Sequence, residues 1–280
     1  MANETGRFTM NDGGSIPVIG YGTVFMKGES GAESIKNAIN NGYRLIDTAM
    51  KYDNEGSVGE GIRRSGVERN ELYITTKLRA SYYDYDEALK SVEESLFRMQ
   101  LDHFDLILLH WPNPRHDRYV EAWKALIEAK EQGYVKSIGV SNFLPEHIER
   151  LIDETSVLPT VNQIELHPYF NQREMHAWNQ RNDIITQGWS PLSRGQTVVH
   201  DDTIRKIAED KDRTVAQVIL RWHIQQGVVP IPKAASENHQ KENLDIFNFE
   251  LTAGEMDQMN GLTKEDGRIG GQDPMEYEEF

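Results

Sequence analysis

The sequence contains no cysteine, which excludes several kinds of chemistry at once. Without cysteine there can be no disulfide framework, no catalytic thiolate and no thiolate-bound metal. Basic residues are also scarce: 30 Lys and Arg stand against 45 Asp and Glu, so the formal net charge is −15. Such a surface repels a nucleic-acid backbone, so we expect no nucleic-acid partner. An anionic ligand would need a local cluster of donors to hold it.

Long apolar runs are missing as well. The longest purely aliphatic stretch, Leu106–Leu109, is far too short to cross a bilayer, and the first residues, MANETGRF, lack the apolar core of a secretory signal. Of the 280 residues, 38% are hydrophobic and 27% are charged, which is typical of a globular protein. We therefore expect a single domain over residues 1–280, in the cytoplasm and without membrane contact. Its polar surface suits a monomer.

Several common nucleotide-binding and catalytic motifs are absent too. The nearest approach to G-x-G-x-x-G has Arg64 in the place of the third glycine. No P-loop and no H-E-x-x-H occurs, and Gly188–Leu192 lacks the final glycine of a nucleophile elbow. The nine histidines show no close ligand spacing, so we expect no metal site.

The chain begins with a predicted β-hairpin and then alternates between strands and helices. Phe8–Met10 and Ile16–Ile19 flank a turn with Asp-Gly, within an N-terminal segment of residues 1–17. Helices are predicted where apolar residues recur at spacings of three and four, and where Thr214 with Gln217 forms a capping box. Predicted helices include residues 32–41, 58–64, 145–152, 174–182, 203–210, 215–226, 238–246 and 254–261.

Eight strand–helix units follow the hairpin, and their strands are short and apolar throughout. Uniformly apolar strands are typical of a parallel sheet covered on both faces. Eight such units in this length predict a (β/α)₈ barrel, with a doubly wound sheet as the alternative. A barrel would bring the carboxyl ends of its strands together, and those ends carry Asp47, Lys77, His110, Asn142, Trp189 and Lys233.

Three consecutive strands each end on an ionisable residue, namely Asp47, Lys77 and His110, and Tyr52 follows the first of them in a polar loop. Each has an ordinary interpretation alone: a helix cap, a solvated end, a buried histidine or an aromatic side chain at the rim. Together, at one end of a barrel, they favour a shared site. A phenol, an ammonium, a carboxylate and an imidazole suit proton transfer to a substrate.

Asn54 and Glu55 suggest an alternative, because Asn-Glu after a barrel strand can carry the acid of a retaining glycosidase. That reaction needs a second carboxylate about 5 Å away. Glu165 is the candidate, but its own strand makes the geometry unfavourable. We expect instead that Glu55 caps the helix that follows it.

The motifs GYRLIDTAMKYDNEGSVGEGI, LYITTKL, FDLILLHWP, SIGVSNF, VNQIELHP and IPKAASENHQKENL occur in this order between about Gly13 and Asn248. In order and spacing they resemble the aldo-keto reductases, particularly the bacterial 2,5-diketo-gluconic acid reductase branch. The resemblance implies a barrel that binds NADPH without a Rossmann domain. It also implies a catalytic tetrad of Asp47, Tyr52, Lys77 and His110 that reduces small aldehydes and ketones.

The chemistry of the four side chains agrees with this assignment. Carbonyl reduction needs a hydride on carbon and a proton on oxygen, and Tyr52 can supply the proton. Because a free tyrosine has a pKa of about 10, we expect Lys77 to lower that pKa and Asp47 to hold Lys77 in place. His110 would orient the carbonyl oxygen and stabilise the charge that develops there.

The resemblance further implies contacts to the cofactor and the substrate. Cofactor contacts are Gly22, Thr23, Asp47, Ser141, Asn142, Gln163 and Trp189 near the nicotinamide, Ser190, Leu192, Ser193, Arg194 and Gly195 in the phosphate loop 190–196, and Lys233, Ser236, His239, Glu242 and Asn243 at the adenosine end. The substrate pocket would include Val24, Tyr52, His110 and Trp111, with the loops near Met50 and Lys51.

One departure concerns the phosphate on the adenosine ribose. The branch favours arginines at the positions of Ser236 and His239 and a hydroxyl residue at Ala234. Because serine and neutral histidine offer less to a phosphate than arginine does, we expect a weakened NADPH preference, with NADH partly tolerated. Lys233 would then be the main charge facing that phosphate.

A second class of function is a non-catalytic relative that binds cofactor as a sensor or partner subunit, which the intact tetrad disfavours. The segment from Thr263 onward, here called the tail (residues 263–280), is polar and acidic. Its order and its role in closing the site stay open at this point.

Overall fold

The computed structural model of the chain describes residues 6–195 and 197–280. Residues 1–5 of the predicted N-terminal segment and Gln196 of the predicted phosphate loop lie outside them. The first two strands, Arg7–Thr9 (β1) and Ser15–Pro17 (β2), pair antiparallel, which confirms the predicted hairpin.

Eight further strands form one parallel sheet in chain order. They are Gly20–Gly22 (β3), Leu45–Asp47 (β4), Tyr73–Leu78 (β5), Phe104–Leu109 (β6), Val135–Ser141 (β7), Val161–Glu165 (β8), Ile185–Trp189 (β9) and Val229–Ile231 (β10). The backbone N–H of Gly22 donates to the carbonyl of Pro232 at 2.9 Å, so the two edges of the sheet meet. This closure confirms the barrel, and the doubly wound alternative is wrong because such a sheet stays open.

Helices cover the outside of the barrel. They are Gly28–Asn40 (α1), Glu55–Ser65 (α2), Tyr85–Met99 (α3), Tyr119–Glu131 (α4), Pro145–Thr155 (α5), Arg173–Arg181 (α6), Asp202–Asp210 (α7), Val215–Gln225 (α8), Glu237–Leu244 (α9) and Ala253–Asn260 (α10). The capping box of Thr214 and Gln217 forms as predicted. No described helix is both long enough and apolar enough to cross a bilayer.

The apolar core has two layers. Inside the barrel, buried side chains from the strands, such as Leu45, Leu106 and Val229, pack against Phe8 and Ile16 of the hairpin. The larger layer lies between the strands and the helices. The hairpin therefore fills one end of the barrel, and the opposite end, where the strands finish, remains for side chains of the loops.

Gly59 of α2 marks a close helix contact that tolerates no side chain. A Cβ there would lie 2.2 Å from the backbone carbonyl oxygen of Met99 at the end of α3. Because backbone cannot rotate away, we expect Gly59→Ala to lower the free energy of unfolding by about 1–3 kcal/mol in urea titrations. Gly56→Ala is the matched control, since a Cβ at Gly56 meets nothing within 4 Å. Equal losses at both positions would contradict this packing.

Candidate active site

A buried ion pair lies where β4 and β5 end. Nζ of Lys77 donates to Oδ1 of Asp47 at 2.6 Å and to the carbonyl of Thr48 at 2.9 Å, and Nε2 of Gln163 donates to Oδ2 of Asp47 at 2.7 Å. Lys77 is only 1% exposed. Burial, the largest single effect, would lower the pKa of Lys77, but the charges of Asp47 and Tyr52 and the hydrogen bonds to them together outweigh burial, so the pKa is raised. The ammonium is therefore kept charged at neutral pH inside the barrel.

Tyr52 lies in a single helical turn, Met50–Tyr52, directly after β4, and Asp53 ends the turn with a left-handed backbone (φ 50°). This turn brings the phenol ring over the ion pair, with Nζ of Lys77 5.3 Å from the ring centroid. The ring of His110 lies 6.0 Å away, nearly perpendicular to it. The four side chains predicted to act together are thus gathered at one end of the barrel.

The pKa of Tyr52 differs from the sequence expectation. Burial raises it above the usual value of 10.0, and the charge of Lys77 lowers it only in part, while Asp47 raises it further. The expected net lowering is therefore wrong, because sequence reasoning weighed the ammonium but not the loss of solvent. The consequence is a phenol that stays protonated at neutral pH and has a positive charge beside it.

His110 directly follows β6 and is fixed through its backbone. Its N–H donates to the carbonyl of Leu78 at 3.1 Å, and its own carbonyl accepts from Nδ2 of Asn142 at 3.0 Å. Nδ1 of the ring lies 2.7 Å from Oε1 of Glu279 in the tail. Nε2 makes no hydrogen bond within the described residues, so this nitrogen is available to a ligand.

The side chains predicted to hold the nicotinamide form one connected group beside Asp47. Oδ1 of Asn142 accepts from Nε1 of Trp189 at 2.7 Å, and the hydroxyl of Ser141 donates to the carbonyl of Gln163 at 2.9 Å. The amide nitrogen of Gln163 bonds to Asp47 and to Gln187, whereas its oxygen accepts no hydrogen bond among the described residues. That oxygen is a free acceptor next to the ion pair.

Gly22 and Thr23 contribute mainly through the backbone. A Cβ on Gly22 would lie 3.4 Å from the carbonyl of Ile231, where the barrel closes. The hydroxyl of Thr23 donates to the carbonyl of Asp47 at 3.0 Å, and the side chain of Asn54 donates to the carbonyl of Thr23. Both residues hold the strand end that carries Asp47 rather than presenting free polar groups.

The predicted phosphate loop has an unusual backbone. Ser190, Ser193, Arg194 and Gly195 all have positive φ values between 48° and 72°. Non-glycine residues adopt this conformation at a cost, and such backbone often turns its N–H groups toward an anion. Arg194 is exposed and Leu192 is half-buried against the core. The predicted position Gln196 lies outside the described residues.

The adenosine-end residues lie at and around the start of α9. The hydroxyl of Ser236 caps α9 by accepting from the N–H of His239 at 3.3 Å, and both residues are exposed. Lys233 is exposed, with Nζ 5.1 Å from the ring centroid of Phe25. Glu242 instead accepts from the hydroxyl of Thr214 at 2.6 Å. Asn243 is buried, so its predicted contact would need a close approach of the ligand.

The remaining wall of the site is built by the predicted pocket residues together with the tail. Trp111 is buried against Tyr277, with ring centroids 4.5 Å apart, and Val24 is half-buried. Nζ of Lys51 donates to the backbone oxygen of Phe280. The tail therefore covers the end of the barrel next to Tyr52 and His110.

Two carboxylates considered for glycoside hydrolysis have structural partners instead. Glu55 accepts from Ser95 at 2.7 Å and from two nitrogens of Arg98, so the expectation that it caps α2 is wrong. Asn54 is the capping residue, and its side chain bonds elsewhere. Glu165 bonds to His167 and to the N–H of Ile269. Neither carboxylate is free to act on a ligand.

Sequence reasoning left the role of the tail open and did not identify Glu279 as part of the site. Glu279 is 3% exposed, and burial, the largest single effect, would raise its pKa, but His110, the N–H of Ala80 and Lys51 together outweigh burial, so the pKa is lowered. Asn113 and the N–H of Ala80 hold Glu279 in place. The signal that the sequence offers is EYEEF, two aromatic residues among three acidic ones, and it does not indicate which surface the tail meets.

Comparisons with known proteins point to one family. The aldo/keto reductase family model matches residues 18–264. The chain is 44% identical over 272 residues to 2,5-diketo-D-gluconic acid reductase B of Corynebacterium sp. (strain SHS752001), covering 97% of this chain and 98% of that protein. It is 43% identical over 278 residues to methylglyoxal reductase DkgA of Escherichia coli (strain K12), covering 99% of each.

A solved structure matches over nearly the same length. The crystal structure of a Gox0644 variant in complex with NADPH is 43% identical in sequence, with a TM-score of 0.93. The match covers 97% of this chain and 98% of that one.

Proposed function

The chain belongs to the aldo/keto reductase family, and from that premise we propose that it reduces aldehyde or ketone groups of small molecules to alcohols with NADPH. The observation that carries the proposal is the grouping of Asp47, Tyr52, Lys77 and His110 at the open end of the barrel. A partner-only role would have no use for a buried ammonium–carboxylate pair beside a phenol, because burying two charges is costly.

The residues present fit a nicotinamide cofactor. The side-chain oxygen of Gln163, to which no described residue donates, can accept a hydrogen bond from a carboxamide. Ser141 lies beside it, donating to the Gln163 carbonyl, and Asn142 in turn donates to Ser141. Trp189 offers an indole face for stacking. These groups adjoin Asp47, so a nicotinamide held by them would lie near the proposed acid.

The phosphate end fits as well. The left-handed backbone of residues 193–195 and the exposed Arg194 suit a pyrophosphate. Lys233, the hydroxyl of Ser236 and the N-terminus of α9 suit a phosphate on the ribose. Local positive charge is needed here, because the molecule as a whole carries −15.

Each side chain has a separate task in the reaction. When bound, the reduced cofactor supplies a hydride to the carbonyl carbon. Tyr52 donates its proton to the carbonyl oxygen, and Lys77 stabilises the phenolate that is left. Asp47 holds Lys77, and Nε2 of His110 holds the oxygen in line with the phenol. The products are the alcohol and the oxidised cofactor, and solvent later returns the proton to Tyr52.

Loss of absorbance near 340 nm tests this proposal. We expect NADPH to be oxidised when methylglyoxal, glyoxal or a diketo-sugar acid is added, with one alcohol formed for each NADPH consumed. The choice of methylglyoxal and a diketo-sugar acid follows the names of two relatives, methylglyoxal reductase and 2,5-diketo-D-gluconic acid reductase. No turnover with any of these compounds, in protein that binds NADPH, would contradict it.

Lys233 should decide how strongly NADPH is preferred over NADH. Since Ser236 and His239 carry no fixed charge, Lys233 is the main cation for the ribose phosphate, and we expect Lys233→Ala to raise KM for NADPH by about 10-fold or more with little change for NADH. Lys241→Ala is the control, because Lys241 pairs with Glu237 at 2.6 Å. In the unmodified chain, a kcat/KM for NADPH several thousand-fold above that for NADH would contradict the weakened preference.

We propose that the protein acts as a cytoplasmic monomer. The large hydrophobic side chains that are exposed among the described residues are few and come from separate segments of the chain: Phe25, Tyr82, Phe97, Phe247, Met275 and Phe280. Scattered apolar residues do not make an association surface. Light scattering should give a mass near 32.1 kDa, and a doubled mass would contradict the monomer.

A further inference from the structure

Glu279 is fixed in the site by contacts that leave its carboxylate little freedom. The side chain of Asn113 binds both backbone groups of Glu279: its nitrogen donates to the Glu279 carbonyl and its oxygen accepts from the Glu279 N–H, each at 3.0 Å. Oε2 of Glu279 accepts from the backbone N–H of Ala80 at 3.2 Å. The other oxygen, Oε1, lies 2.7 Å from Nδ1 of His110.

The short approach to His110 determines which ring nitrogen carries a proton. Two lone pairs at 2.7 Å would repel each other, so Nδ1 must bear the proton when Glu279 is ionised. The N–H does not point straight at Oε1, so the contact is a close charge contact rather than a linear hydrogen bond. Nε2 lies on the other side of the ring, where no described residue bonds to it, and can face the substrate oxygen.

We propose that Glu279 is a positioning residue for carbonyl reduction, acting through His110 and not touching the substrate. Its carboxylate keeps Nδ1 protonated and holds the ring so that Nε2 faces the carbonyl oxygen. When Nε2 also carries a proton and donates it in a hydrogen bond, the carboxylate balances the positive charge on the ring. This inference rests on the proposed function, since it assigns Glu279 a part in the same reaction.

The neighbouring charges fit this role better than a blocking role. Burial is the main cause of the raised pKa of Tyr52, and the Glu279 carboxylate adds to it. Glu279 therefore also favours the protonated phenol, the form that reduction needs. A segment that only obstructed the site would not need its backbone held at two points by Asn113 and its carboxylate held by Ala80.

The variants Glu279→Leu and Glu279→Gln test the proposal by steady-state kinetics. We expect Glu279→Leu to lower kcat by about 10–100-fold, as when the carboxylate that orients a metal-bound histidine is lost, with the Kd for NADPH unchanged. Glu279→Gln should lose less, because its amide oxygen can still face the Nδ1 proton. Glu278→Gln is the matched control: among the described residues the Glu278 carboxylate hydrogen-bonds to the N–H of Arg115, at 2.7 Å, and not to His110, so this variant should keep its activity.

A kcat that is unchanged or higher in Glu279→Leu would overturn the proposal. A higher kcat would indicate that the tail obstructs the site. Nitrogen-15 NMR of His110, assigned with His110→Asn, gives a second reading that needs no turnover. In the unmodified chain we expect Nδ1 of His110 to have the chemical shift of a protonated ring nitrogen. In Glu279→Leu we expect the proton to be no longer confined to Nδ1. An unprotonated Nδ1 in the unmodified chain would refute the positioning role, whereas failure of the proposed function would appear as no carbonyl reduction by that chain.

Discussion

Replacing Tyr52 with phenylalanine is expected to lower kcat for carbonyl reduction by at least about 100-fold, because the ring remains and only the proton donor is lost. The phenol lies beside Lys77 and His110, and its raised pKa keeps it protonated at neutral pH. No other phenol contacts the Lys77 ammonium among the described residues, so none can take over the proton transfer. The rate of absorbance loss at 340 nm with methylglyoxal measures the effect.

Two controls make the Tyr52 result specific. The Kd of Tyr52→Phe for NADPH should match that of the unmodified chain within about threefold. Its thermal unfolding midpoint should match within about a few degrees. Tyr134→Phe, which removes a hydroxyl bonded to Glu93 at 3.2 Å, should leave kcat unchanged. Reduction that survives in Tyr52→Phe within tenfold would remove Tyr52 as the acid.

The second large effect is expected at Lys77. Replacement by methionine keeps the length of the side chain but removes the charge, so Asp47 stays buried without its partner. We expect Lys77→Met to lower the free energy of unfolding by about 3–5 kcal/mol and to reduce kcat by at least about 100-fold. Urea titration and the 340 nm assay measure the two effects separately.

A double variant separates the two consequences. In Asp47→Asn/Lys77→Met no unpaired charge remains, so we expect stability to recover by more than half while kcat stays low. Recovery of activity together with stability would mean that Lys77 serves only the fold. Equal destabilisation in the single and double variants would contradict the account of the buried pair.

The sequence carried enough information for the barrel, because its signals are local and repeated. Short apolar strands alternate with amphipathic helices, and the ends of the helices have clear boundary signals, such as Gly42 after α1 with φ of 117°. The carboxyl ends of the strands in a parallel barrel lie on one side, so the sequence alone predicts that Asp47, Lys77 and His110 meet. In the structure the eight strands pair in the order in which they occur along the chain.

Features that depend on contacts distant in sequence could not be predicted in this way. Glu55 reaches Ser95 and Arg98, 40 or more positions away, which no capping rule anticipates. Glu279 meets His110 across most of the chain, and its neighbours EYEEF resemble an ordinary acidic surface segment. The pKa of Tyr52 depends on how far solvent is excluded, which composition and spacing do not reveal.

The central claim is that one phenol donates the proton in reduction and removes it in the reverse reaction, and the pH dependence of the reverse reaction tests it most directly. The measurement is the single-turnover rate of alcohol oxidation by NADP⁺ between pH 6 and pH 9. Because the pKa of Tyr52 is raised above 10.0, the phenolate fraction grows about tenfold per pH unit over this range, and the rate should rise with it. In Tyr52→Phe the residual rate should lose this slope. A rate independent of pH in the unmodified chain, or the same slope in Tyr52→Phe, would contradict the account.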